Sequence, residues 1–204
     1  MLHDLHRGVI ALLRAELPEE LRNAIGISFA TPGEDFPPAS VALPAINLFL
    51  YDMVNAPELR HSTGGWEQPQ PGQFERHPNP YRIACHYIVT AWAREGTPAP
   101  EDDEHRLLGE AMRVLLRYRI LPPIAVTGEL ARIGYPIHVR ALEGGRLGSP
   151  GEFWQALGGK PRPFFNYSLI FALPVTEPEV STAAIRETRV EIHGPSGLMV
   201  GPKP

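Results

Sequence analysis

Cysteine is almost missing from this chain of 204 residues: Cys85 stands alone. A single thiol makes no intrachain disulfide and no zinc site of the paired-cysteine type, so the fold must stand on packing. Lysine is nearly as scarce, with Lys160 and Lys203 the only two among 19 basic residues, and arginine supplies the other 17. No apolar run approaches the roughly 20 residues that span a bilayer. The start, Met1-Leu-His-Asp-Leu-His, has no basic stretch, apolar segment and small-residue cleavage site in succession, so it is not read as a signal peptide. The expectation is a soluble chain made and assembled in the cytoplasm, with no membrane partner. Basic excess is also lacking: with net charge −4 and pI about 6.1, nucleic acid is not an expected partner.

Proline and glycine, by contrast, are abundant, at 23 and 19 residues, and cluster between the apolar segments. Apolar residues at Leu2, Leu5, Val9, Leu12 and Leu13 form one helical stripe that ends before Pro18. Gly26–Thr31 predicts a short strand. Ala45–Asp52 is apolar on both faces, Ile46, Leu48 and Leu50 opposing Phe49 and Tyr51, which suits a central strand covered on both sides. Met53–Pro80 has no sustained period, is broken by Gly64-Gly65, Pro69, Pro71, Gly72, Pro78 and Pro80, and is read as a long loop in which Trp66 and Phe74 favour docking over disorder. Tyr81–Ala93 is a long strand expected beside the first. Glu101–Arg119 is the clearest helix, acidic at its start, arginine-rich at its end and stopped by Pro122-Pro123. Ile137–Leu142 alternates like a half-exposed strand, Ser149 caps a short helix to Leu157, and Phe164–Leu173 is the last strong strand. After Pro174 one alternating run, Ile185–His193, sits between Pro/Gly-rich flanks. These elements predict an α/β (α+β) single domain with a mixed central sheet flanked by helices.

Chemistry is hard to find. No phosphate loop, dinucleotide turn, HExxH helix or nucleophile elbow occurs. Glu101-Asp-Asp-Glu104 sits where acidic side chains offset a helix dipole, and is assigned no metal. His3 and His6, one turn apart, lack further ligands and are read as solvated histidines. Cys85 and His86 are strand neighbours whose side chains face opposite ways, so they cannot act as nucleophile and base. The reading is therefore of a protein that is not an enzyme and holds no cofactor or metal. Trp92, Trp154, Phe164 and Phe165 are read as core or interface anchors, and the arginine bias suits subunit interfaces.

Four segments together carry a resemblance. Leu48-Phe-Leu-Tyr51 with Asn55-Ala-Pro-Glu-Leu-Arg60, then Cys85-His-Tyr-Ile-Val-Thr-Ala-Trp-Ala93, then His105-Arg-Leu-Leu-Gly-Glu-Ala-Met112, then Phe153-Trp-Gln-Ala-Leu157 with Arg162-Pro163 and Tyr167, resemble the cap or tail-terminator proteins of extracellular contractile injection systems. The resemblance runs from about Leu43 to Leu173. Phe164-Phe165, the segment Trp66–Pro80 and the chain after Pro174 depart from the family pattern.

The Pro/Gly-rich residues 174–204 are read from their pattern as a tail that adds a strand to its own subunit or to a neighbour, and the resemblance implies a tail-terminator-like domain over residues 1–173. It further implies a homohexameric ring that ends the inner tube and engages the contractile sheath of a phage-tail-like particle, assembled in the cytoplasm and released with the particle. Its partners would be the tube and sheath proteins, with Arg60, Trp66, Phe74, Arg162 and Phe164 as candidate interface residues. Two alternatives stand beside it. One is a tail-completion protein of a contractile phage or an intracellular secretion machine. The other is a small enzyme or ligand-binding domain with Met53–Pro80 as a lid over His86 or His77.

Overall fold

The computed structural model describes residues 1–57, 66–70, 73–76, 78–143, 147–177 and 179–181; the side chains of 66–70, 73, 74, 76 and 179–181 are outside the description. The chain forms two compact units. The larger comprises Met1–Ser62 and Asn79–Thr176, the smaller Thr63–Pro78 and Glu177–Pro204.

The larger unit is built on a five-stranded mixed sheet in the order β1-β2-β5-β7-β6, the strands being β1 (Gly26–Ser28), β2 (Ala45–Asn55), β5 (Tyr81–Trp92), β6 (His138–Ala141) and β7 (Phe164–Leu173). Only β1 runs parallel to its neighbour; the other three pairings are antiparallel. β2, β5 and β7 are long and rich in β-branched and aromatic residues, which suits the centre of a sheet buried on both faces. The six predicted helices and strands of this unit from Ala45 onward, and the pairing of β2 with β5, are found.

Two long helices cover one face. α1 (Leu2–Glu16) buries Leu5, Val9, Leu12 and Leu13, and α3 (Pro100–Leu115) buries Leu107, Ala111, Val114 and Leu115. They meet Ile46, Leu48, Cys85, Tyr87, Val89, Phe165, Tyr167, Leu169 and Phe171 in one continuous core. Each fully buried aliphatic side chain there contributes about 2 kcal/mol of transfer free energy. Leu2, at the end of the predicted stripe, is 37% exposed and outside that core. α1 also packs closely on the 3-10 turn Pro123–Ala125. This contact requires Gly8, because a β-carbon there would overlap the Ala125 carbonyl oxygen. Two shorter helices escape a periodicity reading: α2 (Glu19–Arg22) and α4 (Gly128–Ile133). α4 lies under the α1 start, where the Glu129 N–H donates to buried Asp4 at 3.3 Å.

The other face is covered at one end by α5 (Pro150–Ala156). Its Ser149 cap accepts from the Glu152 N–H at 3.3 Å, as the sequence predicts, and its Trp154 is 2% exposed. Phe153 meets Phe49, and Trp154 meets Phe164.

β2 contains an irregularity that matters below. Leu50 pairs with Tyr87, but the next partner of His86 is Asp52, so Tyr51 is an extra residue in the strand. Side-chain parity therefore shifts: Asp52 follows Tyr51 onto the face opposite the α1/α3 core.

The smaller unit corrects one expectation. Within Met53–Pro80, read as a loop, β2 continues to Asn55, and β3 (Trp66–Gln70) pairs antiparallel with β4 (Gln73–Arg76). The strands are too short to show alternation, and Pro69, Pro71 and Gly72 mask what remains. Pro69 falls where the β3–β4 register breaks between Glu67 and Gln70, a place where no ladder donor is required. β8 (Glu179–Ser181) pairs with β4 as the third strand. The predicted run Ile185–His193 lies outside the described residues.

Candidate functional site

Antiparallel register assembles side chains that the sequence keeps far apart. On the face away from the α1/α3 core, Asp52, His86, Ser168 and Arg140 lie in one row across β2, β5, β7 and β6. His86 Nδ1 and Ser168 Oγ are 2.7 Å apart, the Tyr51 ring is 6.2 Å from the His86 ring, and the Tyr51 hydroxyl donates to Asn166 Oδ1 at 3.5 Å. An aspartate, a histidine and a serine in sequence resemble a hydrolase relay only in composition. They sit on a sheet surface where the backbone N–H groups of β5 and β7 are engaged in the ladders, so no pair of amides is left there to receive an oxyanion. Asp52 reaches the row only through the extra residue at Tyr51, and no sequence signal announces it.

The thiol next door takes no part. Cys85 points into the core, and burial pushes its pKa up to about 12, so it stays a protonated apolar side chain. Burial likewise raises the pKa of Tyr87 and of Tyr167. His3 is exposed beside Asp4, but the reading of His6 as solvated is wrong. Its ring stacks on Phe29 at 3.9 Å with planes 8° apart, and meets Tyr87 edge-on at 6.0 Å. A helix position one turn from an exposed histidine gives no hint that the chain after β1 folds a phenylalanine against it.

Among the described residues no group of three or more His, Cys, Asp or Glu side chains could hold a metal. No helix among them is long and apolar enough to cross a membrane.

Of the five candidate interface residues, Arg60 lies outside the described residues, and Trp66 and Phe74 fall in β3 and β4 with their side chains undescribed. Phe164 is half-buried against Trp154. Arg162 has the most defined surroundings. Its guanidinium lies 3.8 Å above the Trp92 ring and donates to Glu104, whose carboxylate also accepts from the Ala93 N–H at 3.2 Å. Trp92 in turn packs on Phe36 at 4.1 Å and donates through Nε1 to Thr90 Oγ1 at 3.0 Å. The Thr-Ala-Trp segment of β5, the acidic start of α3 and the Arg162-Pro163 segment thus converge in one stack. A cavity of about 240 Å³ opens beside it, lined by Phe36, Trp92, Arg94, Glu104 and Arg162 among others.

The family model of the Pvc16 N-terminal domain matches residues 5–187, which include all of these segments. The chain belongs to the Pvc16 N-terminal domain family. The match extends beyond the Leu43–Leu173 stretch that carries the resemblance, taking in α1 and β8. Two solved structures share the fold. One is the sheath/tube terminator of an extracellular contractile injection system, PVC, in its extended state: TM-score 0.63, 22% identity, covering 98% of this chain and 65% of that one. The other is the tube-terminating cap of the anti-feeding prophage: TM-score 0.62, 23% identity, covering 93% of this chain and 61% of that one. This chain therefore spans less than two thirds of each of these two solved chains. No curated protein matches it.

Proposed function

We propose that this chain is a structural terminator subunit of a phage-tail-like contractile injection system, acting by association and not by catalysis. The observation that carries the reading is the fold likeness to a sheath/tube terminator over 98% of the chain, joined to the family membership. The flat Asp52–His86–Ser168 row, with its neighbouring amides committed to the ladders, supports a non-enzymatic role.

In this reading six copies close into a ring on the last layer of the inner tube and engage the end of the sheath, stopping both polymers. Heterologous contacts close into such a ring when the rotation between subunits permits, and six chains of 22.6 kDa give roughly 136 kDa. Arg60, Trp66, Phe74, Arg162 and Phe164 are the proposed contact residues toward neighbours, tube and sheath. Weak individual contacts suffice, since ring closure makes the later ones intramolecular. Assembly takes place in the cytoplasm, and the particle carries the subunit outside the cell.

Electron microscopy of the purified particle tests this. A single sixfold layer of this chain at the far end of the tube is expected. Density along the shaft, at the baseplate, or in another symmetry overturns the reading.

A further inference from the structure

Two arginines of this chain lie over aromatic rings, and they differ in what meets the edge of the guanidinium. Arg162, over Trp92, donates to the Glu104 carboxylate. Arg82, on β5, has its guanidinium carbon 5.0 Å from the centre of the Tyr135 ring, and among the described residues it makes no ion pair. Arg82 is also the more deeply buried of the two, at 3% exposure.

Its position follows from the sheet. Arg82, Ala84 and His86 alternate onto the face away from α1 and α3. Arg82 stands opposite Ala172 on β7, and its carbonyl accepts from the Ala56 N–H at 2.7 Å. Its neighbours on that face are thus Ala56, Ala84 and Ala172, all buried. Side chains this short leave room for the arginine stem and offer the guanidinium no acceptor. Asp52, on the same face, pairs with His86, four residues along β5 and so about 13 Å away.

A guanidinium does not give up its proton, so the charge stays where the fold puts it. Tyr135 covers one flat face, which offsets only a small part of the loss of water. The N–H groups radiate in the plane, where a ring on the face cannot accept them, and Nη1 is buried with no hydrogen-bond partner among the described residues. A planar group with two oxygens fits such an edge, as Glu104 shows at Arg162. Tyr135 itself is 38% exposed and stands between Gly134, in the left-handed conformation at φ 74°, and Pro136. The ring is therefore a wall of the site that borders solvent.

We propose that the Arg82 guanidinium binds a carboxylate edge-on beneath Tyr135, and that this bound group supplies the counter-charge. A free carboxylic acid anion and a glutamate or aspartate side chain of a second polypeptide offer the same chemistry.

The test uses the full dialysed chain at about pH 7, with sodium acetate as the probe and sodium chloride at equal ionic strength as the control. Acetate is expected to raise the melting temperature saturably. It should also shift the Arg82 Nε–Hε resonance, identified by its Overhauser contacts to the Tyr135 ring. In Arg82→Met, which keeps an unbranched stem among the alanines, acetate and chloride should act alike. Tyr135→Ala, a change at an exposed ring, should weaken acetate about fivefold. N-acetylglutamate amide separates the two sources: a saturable response equal to that of acetate assigns the carboxylate to a polypeptide side chain, a response to acetate alone assigns it to a free anion, and either upholds the site. An Arg82 resonance that acetate does not move overturns the proposal, as does an acetate response that survives in Arg82→Met. Should that variant fail to fold, the resonance in the unmodified chain and the affinity of Tyr135→Ala decide. Sulfate matching acetate at equal ionic strength also overturns it, because a planar edge-on site prefers the carboxylate. The terminator reading stands or falls on the particle, whatever acetate does to the isolated chain.

Discussion

The guanidinium of Arg162 lies 3.8 Å above the ring of Trp92 and is held there by Glu104. Arg162 is only about a quarter exposed, so this stack joins the end of β5, the start of α3 and the approach to β7 largely out of water. A cation over an indole together with a charge-assisted bond is worth about 1–3 kcal/mol. Arg162→Ala is expected to lower the melting temperature by about 3–10 °C for a chain of this size. Arg162→Lys should recover only part of that loss, because a lysine keeps the charge without the plane. A melting curve for Arg162→Ala that superimposes on the unmodified protein would remove the stack from the account of stability.

Gly8 and Gly109 make a paired prediction. Both lie in long helices, where alanine is ordinarily better by about 1 kcal/mol. At Gly109 an added β-carbon meets nothing within 4 Å, and Gly109→Ala should stabilise by about 0.5–1 kcal/mol. At Gly8 it would collide with the Ala125 carbonyl oxygen, and overpacking of this kind costs about 1–3 kcal/mol. Chemical denaturation of the two variants should move the midpoint in opposite directions. Equal shifts would mean that α1 does not rest on the Pro123–Ala125 turn.

The His6 ring supplies a pH dependence. Burial, and secondarily the charge of His3, lower its pKa below the ordinary 6.5. The unfolded chain then binds a proton that the folded chain resists, so this contribution is complete above pH 6.5 and is lost as pH falls from there through the lower folded value. His6→Phe preserves a ring against Phe29 and removes the titration. Its stability should vary less than that of the unmodified protein between about pH 5 and pH 7. Identical pH profiles of urea midpoints would contradict the assignment.

Leu48 and Leu115 are both fully buried, on β2 and α3, in one core. Leu48→Asp and Leu115→Asp each place an unpaired carboxylate in apolar surroundings, and neither variant should be recovered in folded, soluble form. Soluble Leu48→Asp with native circular dichroism would contradict the central placement of β2.

Much of the larger unit was legible because its signals are local. The Leu5, Val9, Leu12, Leu13 stripe, the acidic start and basic end of α3, and the Ser149 cap each lie within a few residues of what they specify. The smaller sheet was not legible, since β3 and β4 are four or five residues long and carry Pro69 within them, too little chain for a period to emerge. The polar row was hidden for another reason. His86 and Ser168 are separated by 82 residues and meet only through the β5–β7 register, which depends on where strands start and which face is buried.

The extra residue at Tyr51 changes how this chain can be compared with its relatives. A strand is a two-sided code, and one inserted letter exchanges the sides for everything downstream within that strand. Any counterpart that lacks the insertion would carry its equivalent of Asp52 onto the α1/α3 face and its equivalent of Met53 off it, although the two sequences aligned without visible conflict. Positions before Tyr51 and after it therefore belong to separate reading frames of the same sheet. A substitution transferred from one family member to another across that point keeps its meaning only when both chains make the same bulge.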